Sequence, residues 1–156
     1  MAKKRVAIIA SKGTLDMAYP PLMIATTAVA MDMECGIFFT FYGLNIVNRK
    51  KYENLKVAPL ANPAMPMPVP NIIGALPGMT AVATSMMKGM MKKAGMATIP
   101  ELVKICGESG VKLWPCQPTI IAMSIDPNDL VPEVKEPCGA AVYLEYAQNA
   151  DVSLFI

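Results

Sequence analysis

The stretch Val6-Ala7-Ile8-Ile9-Ala10-Ser11-Lys12-Gly13-Thr14 decides the fold class. Its unbroken apolar run, Val6–Ala10, suits a strand buried on both faces, as in a parallel sheet covered by helices. Ser11–Thr14 reads as a loop, and a helical stretch rich in Ala, Met, Leu and Ile runs on to about Met33. Pro20 and Pro21 lie inside it and fit best near a helix start or at a kink. Gly36–Tyr42, full of aromatic and β-branched residues, predicts a second strand, and Leu44–Tyr52 a short polar helix or turn. Thr98-Ile99-Pro100-Glu101 has the form of a capping box with proline in the first turn, so a helix starts there and ends near Gly110. Val111–Trp114 predicts a third strand. Short helical runs follow at Ile120–Ser124 and from Asp126, then a helix over Gly139–Gln148 and a last strand over Val152–Ile156. Strands alternating with helices predict an α/β fold. The expectation is a three-layer sandwich around a mainly parallel sheet of about four to five strands.

Composition bounds the chemistry. The chain has 156 residues, 54% hydrophobic and 17% charged, against a usual charged share of about 25%. A single domain over residues 1–156 is expected. The net charge is +2, and Arg5 and Arg49 are the only arginines, which argues against a nucleic-acid partner. There is no histidine, so Ser-His-Asp triads, Cys-His dyads and His-ligated metal sites are excluded. The four cysteines, Cys35, Cys106, Cys116 and Cys138, show no zinc-site spacing, so no metal is expected. No cofactor is expected either, because Ser11–Thr14 is too poor in glycine to attract a nucleotide or flavin. Lys3-Lys4-Arg5 is followed by too short an apolar run for a signal peptide, which predicts a cytoplasmic protein with reduced thiols.

Residues of about 57–97 read as an insertion. Val57 to Met87 carries no charge, but Pro59, Pro63, Pro66, Pro68, Pro70 and Pro77 prevent one continuous helix. From Gly78 a helix fits. Met79, Val82, Ala83, Met86 and Met90 share one face, Lys88 and Lys92 lie opposite, and Met87 and Met91 widen the apolar side. Before Lys88 this helix is too short to span a bilayer, and its stripe reads either as core or as a docking face.

In an open parallel sheet, ligands bind beyond the carboxyl ends of the strands. Cys35 falls at the opposite edge, Cys106 falls mid-helix, and Cys138 lies on the return path to the last strand. Cys116 alone follows a strand directly and precedes a helical segment, sharing that edge with Ser11, Lys12, Gly13, Thr14, Thr40 and Tyr42. Backbone N–H groups at a helix start favour a thiolate, which suits persulfide transfer better than proteolysis in a chain without histidine. Cys106 reads either as core or as the resolving partner of Cys116. Ser11–Thr14 reads either as a plain turn or as a small anion nest.

Val6–Pro21, Phe38–Leu44, Asn71–Met79, Gly110–Leu113, Gly139–Ala141 and Leu144–Ala147 together resemble the DsrE/DsrF-like family, in its sulfur-relay subgroup often labelled "peroxiredoxin family". The resemblance covers nearly the whole chain. It implies a compact α/β sandwich that forms oligomers, here a homo-oligomer built as a trimer or a multiple of three. It also implies a sulfurtransferase or sulfur carrier, in which a cysteine accepts sulfur as a persulfide or thiosulfonate and passes it to a small sulfur-carrier protein. The implied cysteine is Cys116, with Cys106 as a second; Ser11, Lys12, Gly13 and Thr14 are the candidates for holding an anionic sulfur species. The alternative is a non-enzymatic oligomeric scaffold or membrane-peripheral adaptor that docks through the Met-rich insert.

Overall fold

Alternation along β1 (Arg5–Ala10) organises the molecule, for which a computed structural model describes residues 3–58 and 76–156. Val6, Ile8 and Ala10 enter one apolar cluster, while Ala7 and Ile9 enter another on the opposite face. β1 pairs in parallel with β2 (Glu34–Phe39) on one side and β4 (Val152–Phe155) on the other. β3 (Lys112–Pro115) extends the sheet beyond β2, giving the order β3-β2-β1-β4 with every pairing parallel. Helices α1 (Leu15–Ala30) and α3 (Ile99–Glu108) cover the larger cluster. α5 (Ala140–Ala147) covers the smaller one through Tyr143 and Tyr146. The α/β class and the helix-sheet-helix layering are as expected from the sequence.

The smaller face is built around aromatic contacts. Phe38 stacks on Tyr143 with ring centroids 5.1 Å apart, and Trp114 meets Tyr146 edge-on at 5.0 Å. Gly36 makes room for the second pair, since a Cβ there would lie 2.5 Å from the Trp114 ring. The capping box at the start of α3 is present: Thr98 accepts from the Glu101 N–H, and the Glu101 carboxylate accepts from the Thr98 N–H at 2.7 Å.

Pro20 and Pro21 lie near the start of α1, in its second turn, and the helix continues through them to Ala30. Two local expectations change. The second strand stops at Phe39 and does not reach Tyr42. Phe41 takes a left-handed backbone (φ 46°) and opens a 3₁₀ helix, Phe41–Val47. Its high strand propensity yields to the turn, and the aromatic pair Phe41 and Tyr42 ends up 63% and 64% exposed.

The second change concerns the Met-rich helix, α2 (Met79–Lys93). Thr84, Met87 and Met91 form its core-facing side, and Lys88 lies along it, donating to the Glu53 carbonyl at 2.8 Å. Val82, Met86 and Met90, the centre of the expected apolar stripe, are more than half exposed. Among the described residues, no helix is long and apolar enough to cross a membrane. The Pro-rich stretch of the expected insertion, residues 59–75, lies outside the described residues.

Candidate functional site

At the carboxyl edge of the sheet the chain leaves β1, β2 and β3 side by side, and two glycines let the first two exits interlock. A Cβ on Gly13 would lie 2.1 Å from the Tyr42 carbonyl oxygen, and one on Gly43 would lie 2.0 Å from that of Ala10. The Gly43 N–H donates to the Ser11 carbonyl at 3.2 Å, and the Thr40 N–H to that of Ala10 at 3.0 Å. Only residues without a side chain permit this approach.

Cys116 continues the parity of β3. Trp114 points to the α5 face and Pro115 away from it, so Cys116 points to the α5 face and joins Ala7, Phe38, Tyr143 and Tyr146. It is 7% exposed. Its N–H donates to the Phe39 carbonyl at 2.9 Å, and its carbonyl accepts from Ile120 at 3.0 Å, starting the short helix α4 (Gln117–Ala122). Thr119 in α4 ties this exit to the one after β2. Its hydroxyl lies 3.2 Å from the Thr40 hydroxyl and accepts from the Phe41 N–H at 3.3 Å.

The segment before α5 runs along the open edge of β3. Lys135 N–H donates to the Leu113 carbonyl at 2.7 Å, Cys138 N–H to that of Pro115 at 3.0 Å, and Gln117 N–H to that of Cys138 at 3.0 Å. These bonds place Cys138 opposite Cys116 in a parallel bridge. Cys138 is half-buried against the same cluster, and burial, followed by the neighbouring Cys116, raises its thiol pKa above the ordinary value of 9.0. The edge rule alone sets Cys138 aside, because nothing local in the sequence announces that residues 135–138 lie beside β3.

Cys106 and Cys116 are not brought together. Cys106 is fully buried in the larger cluster, on the other side of the sheet, with its thiol donating weakly to the Leu22 carbonyl at 3.8 Å. Burial, with a smaller contribution from Cys35, pushes its pKa to about 12. Cys35 lies within β2 on that same face, and burial pushes its pKa to about 11. Both are therefore protonated core thiols in this conformation.

The loop Ser11–Thr14 sits at the expected edge, and the donors of Ser11 are engaged. The Ser11 N–H and hydroxyl both donate to the Ile156 carbonyl, at 2.7 and 3.0 Å. Thr14 precedes α1 without a side-chain capping bond. Beside the loop, Asp16 and Asn45 each keep one side-chain oxygen buried without a hydrogen-bond partner among the described residues. Unpaired acceptors do not favour an anion in the loop itself. Lys12 is exposed. Two shallow grooves lie elsewhere: one of about 640 Å³ between α5 and β4, reaching Tyr143, and one of about 1100 Å³ between α2 and α3. Neither is lined by Cys116. Among the described residues no group of His, Cys, Asp or Glu is arranged to hold a metal ion.

With this geometry established, comparison with known proteins places the chain. It belongs to the DsrE/DsrF/DrsH-like family, whose family model matches residues 2–155. It is 45% identical, over 162 aligned positions and 100% of both chains, to a protein of Allochromatium vinosum (strain ATCC 17899 / DSM 180 / NBRC 103801 / NCIMB 10441 / D) named sulfur carrier protein DsrE2. It is 30% identical to the uncharacterized protein YrkE of Bacillus subtilis (strain 168), over 98% of this chain and 97% of the relative. Among solved structures it shares its fold with the ychN protein from E. coli, at a TM-score of 0.60 and 12% identity, covering 99% of this chain and 100% of that one. It also shares it with MTH1491 from Methanobacterium thermoautotrophicum, at a TM-score of 0.54 and 11% identity, with the same coverage.

Proposed function

We propose that this chain is a sulfur carrier that accepts sulfane sulfur on Cys116 as a persulfide or thiosulfonate and hands it to a thiol of a partner protein. The observation that carries the reading is the position of Cys116. Of the four thiols, it directly follows a sheet strand at the carboxyl edge, bonded to the exit of β2, which in turn interlocks with that of β1. Full-length identity of 45% to a protein named as a sulfur carrier supports the same conclusion. Phe41, Tyr42 and Ile121 supply exposed apolar surface on the exits of β2 and β3 for a small carrier protein to cover. Lys12 is the cation that meets an incoming anionic donor, and Ser11, Gly13 and Thr14 shape the backbone that presents it.

A homo-oligomer belongs to this reading. Leu144, Val152 and Phe155 leave exposed apolar side chains along α5 and β4, the kind of surface that a second copy could cover. Sedimentation at micromolar concentration tests it, a stable monomer being the contrary result.

The test of function is intact-mass and peptide mass spectrometry after incubation with thiosulfate or polysulfide. The expected result is added sulfur mapped to Cys116, lost in Cys116→Ser and kept in Cys35→Ser. Loading that persists in Cys116→Ser ends the proposal.

A further inference from the structure

The parallel bridge between Cys116 and Cys138 joins two cysteines that no part of the sulfur-loading argument needs to be neighbours. Paired strands lie about 4.8 Å apart, and opposite residues in a parallel ladder point to the same face. Disulfides span Cα separations of roughly 4.4–6.8 Å, and the spacing of a parallel bridge falls within that range. Hydrogen bonds hold the register from both sides: Cys138 N–H to Pro115 and Gln117 N–H to Cys138, each at 3.0 Å. Cys138 is also the more accessible of the two thiols. Cys106, the other candidate resolving thiol, is separated from Cys116 by the sheet.

We propose that Cys138 is the resolving thiol for sulfur held on Cys116, discharging it as hydrosulfide through an intramolecular disulfide. The inference rests on Cys116 being the sulfur acceptor. In the step, Cys138 Sγ attacks Cys116 Sγ of the persulfide. The bond from Cys116 to the outer sulfur breaks, and the outer sulfur departs with that electron pair. It takes up the proton that Cys138 gives up and leaves as HS⁻. The products are one Cys116–Cys138 disulfide and one hydrosulfide per persulfide, and no outside oxidant enters. A small thiol reductant then restores the two thiols. A waiting partner thiol competes with Cys138 for the loaded sulfur, so the pair limits how long unclaimed sulfur stays on the carrier.

The experiment uses the full chain, loaded with polysulfide, desalted and held without air or reductant. Released sulfide is measured over time, and the linkage is mapped by non-reducing peptide mass spectrometry. Sulfide and a Cys116–Cys138 linkage should appear in equal amounts. In Cys138→Ser, sulfur should stay on Cys116 and sulfide release should slow by at least about tenfold. Release at the original rate in Cys138→Ser, or a linkage mapped to Cys106, overturns the proposal. A second arm omits loading and oxidises the unmodified chain with diamide, and the same linkage should form. Loading on Cys116 with no linkage in either arm overturns the resolving role and leaves the carrier reading intact. A linkage with diamide in a chain that cannot be loaded on Cys116 overturns the carrier reading, and the resolving role with it.

Discussion

Cys106 should behave as a structural thiol, and its reactivity can be worked out from its surroundings. It is fully buried between α3 and α1, and burial pushes its pKa from the ordinary 9.0 to about 12. At about pH 8 such a thiol carries roughly a thousandfold less thiolate than one left at 9.0. Thiolate is the species that attacks iodoacetamide, so this factor slows alkylation directly. Lack of access slows it again, because the reagent reaches Cys106 only when α3 opens. Cys35, pushed to about 11 on the same face, should be slow for the same reasons. The assay is timed alkylation of the native chain, with each cysteine quantified by peptide mass spectrometry and a urea-unfolded control. Cys138, only half-buried, should be modified well before Cys35 and Cys106. All four should react alike in urea. Native Cys106 alkylated as fast as Cys138 would falsify the argument, and would restore Cys106 as a candidate partner for Cys116.

The same buried thiols make the fold sensitive to alkali. Below about pH 9 the folded and unfolded chains both keep these protons, so the stability tied to them is complete. Above it the unfolded thiols ionise while Cys35 and Cys106 stay protonated up to about 11 and 12. Stability is therefore lost across that window, by up to about 1.4 kcal/mol per thiol per pH unit. Burial raises Tyr19 and Tyr143 in the same direction. Urea melts at about pH 8 and pH 10 check the sign, and a chain more stable at the higher pH contradicts it. Gly13→Ala must push its Cβ off the Tyr42 carbonyl, 2.1 Å away, and should cost about 1–3 kcal/mol in urea unfolding. An unchanged midpoint with lost thiosulfate loading would instead assign Gly13 to anion binding. Thr98→Ala removes one half of the α3 capping box and should cost about 1 kcal/mol by the same measurement, with sulfur loading unaffected. A loss of loading there would show that α3 communicates with Cys116.

What the sequence made legible was local. The apolar run Val6–Ala10, the capping box at Thr98 and the short strand before Cys116 each carry their signal within a few residues, and each forms where expected. Phe41 and Tyr42 misled because strand propensity rewards aromatic residues wherever they fit a half-buried surface. What overrides it is a long-range constraint, the close approach of Gly43 to Ala10, which turns the chain one residue after Phe39. The insert helix shows a related limit. Periodicity locates an apolar stripe but does not say what it faces. Met87 and Met91, at the margin of that stripe, contact the core, and Val82, Met86 and Met90 at its centre do not.

The cysteines show how far a period of two reaches. Along β2, Cys35 falls on the α1 face, where Cys106 of α3 also lies. Along β3, Leu113 takes that face, so Trp114 and then Cys116 take the other. The edge of the sheet already separates Cys116 from Cys35 in the sequence, and strand parity adds that the two face opposite sides of it. Parity could not place Cys138, which belongs to no named strand and reaches Cys116 only because residues 135–138 close the edge of β3 with three backbone hydrogen bonds. An uncovered edge strand invites pairing with another chain, so covering that edge has a reason independent of sulfur chemistry. Covering it with a segment that ends in cysteine converts a structural necessity into a thiol pair. Replacing Cys138 should therefore leave the edge closed, since both of its hydrogen bonds are made by the backbone, and should change only the fate of sulfur on Cys116.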